Sequence, residues 1–210
     1  MYVRPKIVNP VFYDDDGHVI EYGNRWENSA PQNSYFQESH AERFAPLHPI
    51  AEALLTYLSD TYDVEIVEGE KAVAEFVQPA KDFLRAVSVR PRDASSVSLT
   101  FVFTAGPAVI VQIGSLNTFY YPSCSCDGCD STWYEEAEEL EALVHAVVHG
   151  NYCETFKGSH SLQVEYAYSH PNGNVSGPVN TDVISKERLK EAEQAWRRLP
   201  FGWTEWPHLI

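Results

Sequence analysis

Basic side chains are scarce in this 210-residue chain: 15 lysines and arginines stand against 30 aspartates and glutamates, for a formal charge of −15. Such an exterior repels phosphate backbones and anionic lipid surfaces, so neither nucleic acid nor a membrane is expected as a partner. Long apolar runs are also missing. No stretch reaches the roughly 18 apolar residues of a membrane-spanning helix, and the start, Met1-Tyr-Val-Arg-Pro-Lys6, has no secretory h-region. A soluble, cytoplasmic protein is expected. There is no Gly-x-Ser-x-Gly nucleophile elbow, and Gly69-Glu-Lys71 does not make a phosphate loop. Cysteine occurs only four times, and in a reducing compartment such thiols stay free or bind metal rather than staple the fold.

What the chain does have is enough apolar content, 44%, for one sizeable core. Residues 1–45 read as an arm: Val11-Phe-Tyr13 and His18-Val-Ile-Glu-Tyr22 flank an Asp14-Asp-Asp-Gly17 turn, the pattern of a β-hairpin. The acidic triplet reads as a solvated turn, because it lacks the alternating ligands and closing Glu of a calcium loop. Trp26, Tyr35 and Phe36 punctuate the polar stretch that follows and could anchor the arm to the body.

Residues 46–210 read as a single α+β domain, an antiparallel sheet of about five to seven strands packed by two or three helices. Leu47, Ile50, Ala51, Leu54, Leu55 and Leu58 recur at helical spacing after Pro46. Tyr62–Val67, Ala86–Arg90, Ser98–Thr104, Ala108–Ile113 and Asn117–Tyr121 are β-prone runs with short connections, which favours a meander. Residues 70–84 fit no single pattern. Thr132 and Glu135 fit a capping box ahead of an apolar stripe of Trp133, Ala137, Leu140, Val144 and Val147, with Gly150 as the stop. Glu135, Glu136, Glu138, Glu139 and Glu141 then form a solvated face. Strands are expected at Tyr152–Phe156 and Ser161–Tyr168, a polar loop at 170–180, and a last helix with Leu189, Ala192, Trp196 and Leu199 on one side and Pro200 as its stop. Trp203 and Trp206 in the tail either cap the core or face a partner.

Cys124-Ser-Cys126-Asp-Gly-Cys129-Asp130 concentrates three of the four cysteines just before the long helix, whose N-terminus would favour thiolates. Cys124, Cys126 and Cys129 are candidate zinc ligands, with Asp127, Asp130 or a distant His among 18, 40, 48, 160, 170 and 208 as the fourth. The long helix, rising ~1.5 Å per residue, puts its far end about 25 Å from this loop. Cys153, His145 and His149 are therefore poorly placed to join it. Strand, Cys126-Asp-Gly-Cys129 and helix also resemble the local setting of a thioredoxin-type cysteine, but the parallel βαβ unit that should precede it is missing. His145 and His149, with Glu141 one turn earlier, make an alternative metal site on one helix face. Ala146 stands where a zincin needs its Glu, so that site has no base.

Tyr22-Gly-Asn-Arg-Trp26, Arg43-Phe-Ala-Pro-Leu-His48, Tyr62-Asp-Val64, Leu99-Thr-Phe-Val-Phe-Thr104 and Tyr121-Pro-Ser-Cys-Ser-Cys-Asp-Gly-Cys-Asp130 together resemble an uncharacterised actinobacterial family of unknown function. The resemblance implies one full-length unit that includes the arm, and it carries over no activity. The expected function is non-enzymatic: a cytosolic binding or regulatory protein, of the immunity type for example, with an unknown protein partner and a structural zinc-cysteine turn. The alternative is a metal- or thiol-dependent enzyme built on the cysteine cluster or the His-x-x-x-His helix.

Overall fold

The computed structural model describes residues 1–74, 76–77, 83–157, 163–199 and 202–210. It is an α+β protein whose described strands form three antiparallel sheets. A two-stranded hairpin, β1 (Phe12–Tyr13) and β2 (Val19–Ile20), closes around Asp14. Its carboxylate accepts from the N–H groups of Asp16 and His18, at 3.0 and 2.8 Å, as a short Asx side chain does in a tight turn. The arm then crosses the body in 3₁₀ turns at Gln32–Phe36 and Ala41–Phe44 and enters α1 (Leu47–Thr61). All six apolar positions expected to form the α1 stripe are buried.

The five-stranded sheet is a meander of β3 (Val64–Glu68), β4 (Phe83–Pro91), β5 (Leu99–Thr104), β6 (Val109–Ile113) and β7 (Asn117–Tyr121), in chain order. One short helix, α2 (Glu70–Val73), lies between β3 and β4. The expected β-prone runs each fall within a strand or overlap one, because β-branched side chains suit a pleated surface buried on both sides. One face carries Val87, Val89, Phe101, Phe103, Val109 and Val111 against α1 and α3. The other carries Ala86 and Val102 against Ala72 and Phe76.

The α3 helix (Trp133–Val148) starts with the expected capping box: Thr132 accepts from the Glu135 N–H at 3.2 Å, and Glu135 accepts from the Thr132 N–H at 3.2 Å. Beyond it, β8 (Tyr152–Lys157), β9 (Gln163–His170) and β10 (Gly173–Pro178) form a separate three-stranded sheet rather than extending the meander. The 170–180 segment, expected as a loop, is largely β10. Its Gly-Asn-Val-Ser-Gly-Pro sequence carries little strand propensity, but an edge strand tolerates Gly and Pro, and its register is set by β9. Gly177 lies under the Tyr166 ring, where an added Cβ would come within 3.0 Å of the hydroxyl. The last helix, α4 (Lys186–Trp196), buries Leu189 and Ala192 in a second small core. His160, Ser161 and Pro200 lie outside the described residues.

The C-terminal segment closes the body. Trp206 is 1% exposed, and its indole N–H donates to the Val97 carbonyl at 2.9 Å. The tail amides add ties to Val148 and Thr61, so Trp206 caps the core. Among the described residues no helix is long and apolar enough to cross a membrane.

Candidate metal centre

The loop 122–131 joins β7 to α3, and its shape comes from contacts far away in sequence. Glu136, expected on a solvated face of α3, is instead buried and receives the Ser123 N–H at 2.9 Å and the Ser123 hydroxyl at 3.1 Å. Burial raises its pKa above the ordinary value, against the Ser123 hydrogen bonds. The loop entrance is thereby fixed to the first turn of α3.

Within this loop the three thiols converge. All three sulfur atoms lie within 4.8 Å of one another. Cys124 Sγ donates to Cys126 Sγ at 3.3 Å, and the Cys129 N–H donates to the same sulfur at 3.4 Å. Burial pushes the Cys126 thiol up, but the neighbouring thiols and the backbone N–H groups of Cys129 and Gly128 more than offset this, so its pKa lies below the ordinary value. Cys129 hydrogen-bonds to Cys124 and Cys126, and with burial and their charge it is pushed up to about 12. Cys126 thus ionises before Cys129. A bound cation would displace the remaining thiol protons.

Thiolates about 2.3 Å from a zinc ion lie about 3.8 Å from one another, inside the 4.8 Å within which the three sulfur atoms already lie. Among the described residues no further His, Cys, Asp or Glu atom completes the cluster. Asp127, one of the proposed fourth ligands, is 3% exposed and committed elsewhere: it accepts from the Ser39 N–H at 3.0 Å and the Ser39 hydroxyl at 2.8 Å, with Arg25 Nη1 at 3.6 Å. Asp130, in a left-handed conformation at φ 53°, accepts from the Arg25 N–H at 2.8 Å through Oδ2. Its Oδ1 is buried and meets no hydrogen-bond partner among the described residues. Cys153 lies on β8, away from the trio and exposed.

The arm supplies the rest of the loop's environment. The Asp127 N–H donates to the Gln37 carbonyl at 2.8 Å and the Gly128 N–H to the Ser34 carbonyl at 3.0 Å. The Trp26 indole donates to the Asp127 carbonyl at 3.2 Å. Arg43, 2% exposed, sends Nη2 to the carbonyls of Ser125 and Cys126, at 2.7 and 3.4 Å. Its guanidinium sits 4.4 Å from the ring centres of both Tyr22 and Phe44, a desolvated cation held by aromatic faces. Of the aromatic residues expected to anchor the arm, Trp26 and Tyr35 meet the loop, while Phe36 is exposed. Arg25, Ser39 and Arg43 were not legible as loop partners. The arm hairpin and the start of α3 also enclose a cleft of about 340 Å³ lined by Phe12, Val19, Tyr22, Arg43, Trp133 and Tyr134.

Glu141, His145 and His149 are not brought together as ligands. The Glu141 carboxylate is taken by the Tyr2 hydroxyl at 2.5 Å and by Arg4 Nε and Nη2, at 2.8 and 2.6 Å. His145 is packed edge-on to Tyr2 at 5.8 Å and lies 5.9 Å from Tyr57. Burial, then His149, holds its pKa low, with Glu141 opposing. His149 lies 3.5 Å from Glu205 and 6.4 Å from His145, ring to ring. A second group of possible ligands, Asp14, Asp16 and His18, lies on the exposed hairpin turn.

This is an α+β protein whose Cys-x-Cys-x-x-Cys loop is gripped by its own N-terminal arm. The chain belongs to the family of unknown function DUF6226, which matches residues 8–209 and so takes in arm, loop and body together. No curated protein and no solved structure matches it.

Proposed function

We propose that this chain is a non-enzymatic binding protein in which Cys124, Cys126 and Cys129 hold one zinc ion as a structural clamp. The observation that carries the reading is the convergence of three thiols, within 4.8 Å of one another, on a loop that also holds the arm. Thiolate ligands select zinc among the common divalent ions. Three thiolates neutralise the ion's charge and make it a weak Lewis acid, and the hydrogen bonds at Cys126 come from thiols and backbone rather than from a histidine base. A cytosolic setting suits three reduced thiols in one loop. The partner this reading calls for is a protein with a basic face, since acidic residues outnumber basic ones two to one.

Among the described residues no fourth protein ligand meets the three thiols, which favours a second reading, a metal-dependent enzyme with an open coordination position. Metal analysis of the full chain purified without a histidine tag separates the two. The clamp predicts one equivalent of zinc that Cys126→Ser removes, with a fall in Tm of about 5–10 °C if the ion contributes ~2.7 kcal/mol at 100 times its Kd. Zinc that takes up an added small anion such as azide at its fourth position favours the enzyme, whichever way Tm moves. Protein that takes up no zinc overturns both.

A further inference from the structure

We infer that zinc occupancy of the cysteine loop and docking of the N-terminal arm are a single coupled equilibrium, so that loss of the metal releases arm residues 22–43 from the body. The inference rests on the zinc reading above and adds what the ion controls.

Eight hydrogen bonds join residues 125–130 to the arm, seven of them on residues that flank the three thiols and one on the carbonyl of Cys126 itself. Ser125 and Asp127 lie on either side of Cys126, and Gly128 and Asp130 on either side of Cys129. A metal bound to Cys124, Cys126 and Cys129 would fix the backbone between its ligands, and those peptide groups are the ones the arm reads. The loop has little stability of its own. Asp130 sits in a left-handed conformation, which aspartate bears at less cost than most residues but still at some cost, and Asp127 is a buried carboxylate whose partners Ser39, Arg25 and Arg43 all come from the arm. Undocking would leave that carboxylate unpaired, so arm and loop order each other. Residues 1–4 have a separate anchor on Glu141, which does not involve the cysteines.

Coupling of this kind is reciprocal: whatever factor the metal contributes to arm docking, arm docking contributes to metal affinity. Tyr22 and Arg43 also form one wall of the 340 Å³ cleft against Trp133 and Tyr134. The metal would therefore decide whether that cleft is assembled.

The test uses full-length protein stripped with a chelator and reloaded with zinc chloride, with metal content measured on every sample. Amide exchange read by NMR should rise at least tenfold at Arg25, Ser39, Asp127 and Gly128 when zinc is removed, while β5 amides keep their protection and show that the core stays folded. Asp127→Asn should weaken zinc binding about 10- to 100-fold, as loss of a group that orients ligands does. Ser39→Ala, which removes one hydrogen bond to the Asp127 carboxylate but leaves the charge and its bond from the Ser39 N–H in place, should weaken it by a smaller factor even if the Asp127 variant fails to fold. Full zinc uptake with unchanged exchange at the four amides, and wild-type affinity in Ser39→Ala, would overturn the coupling and leave the zinc reading standing. No zinc uptake would overturn both.

Discussion

Gly128 is the point where the account of the arm can be tested without any metal. A Cβ built on Gly128 would lie 2.6, 2.7 and 2.9 Å from three carbons of the Tyr35 ring, all inside the 3.0 Å that real Cβ atoms respect. Its backbone φ is not in the left-handed region, so Gly128→Ala carries no conformational strain of its own, and the cost is the collision with the ring. Overpacking of this kind costs about 1–3 kcal/mol. Tyr35 is 46% exposed, so the ring can swing outward and the cost should fall in the lower half of that range. Removing a glycine also narrows the unfolded ensemble and returns about 0.4–1 kcal/mol, which would blur a single-variant measurement. A double-mutant cycle with Tyr35→Ala cancels that contribution. Gly128→Ala should destabilise the wild-type chain by about 1 kcal/mol and be neutral or slightly stabilising in the Tyr35→Ala background, a coupling of ~1–2 kcal/mol. Equilibrium urea unfolding of the four proteins, with the slopes checked for equality, gives the number. Equal costs in both backgrounds would mean that Tyr35 does not rest on the loop, and the docked arm would fall with it.

Two further predictions concern the body. Glu154 is 7% exposed and burial pushes its carboxyl from 4.5 up to about 8, while the Tyr152 hydroxyl donates to it at 2.9 Å. The folded state therefore binds the proton more tightly than the unfolded state. Stability is fully present below pH 4.5, declines as pH rises toward 8 and levels off above that. Each unit is worth up to ~1.4 kcal/mol. Glu154→Gln should flatten this slope in a pH series of urea midpoints, and a variant whose slope matches the wild type would refute the assignment. Trp206→Ala should cost about 3–5 kcal/mol, because it empties a fully buried site and orphans the Val97 carbonyl. A loss below ~1 kcal/mol by the same assay would show that the tail does not cap the core.

How far sequence leads depends on how local the determining contacts are. The α1 stripe and the Thr132–Glu135 capping box were legible because apolar spacing and a three-residue cap are decided within one helix. The meander was legible because its β-branched runs are broken by short turns. β10 was not, since a Gly- and Pro-bearing edge strand takes its register from β9 rather than from its own side chains. Glu136 looked solvated because its partner Ser123 is set by the path of the loop, not by helix periodicity. The cysteine cluster was visible as a spacing, but its surroundings were not: Arg43 reaches Ser125 across 82 residues and Ser39 reaches Asp127 across 88. Such polar residues are buried only because a distant partner meets them, and nothing in the local pattern marks that.

The central claim is that three cysteines hold one metal ion at the point where arm and body meet. Zinc K-edge X-ray absorption on the full-length, untagged protein counts those ligands directly. The account predicts three sulfur atoms at about 2.3 Å and one lighter atom completing a tetrahedral shell. A shell dominated by nitrogen, or the full sulfur count persisting in Cys126→Ser, would contradict it.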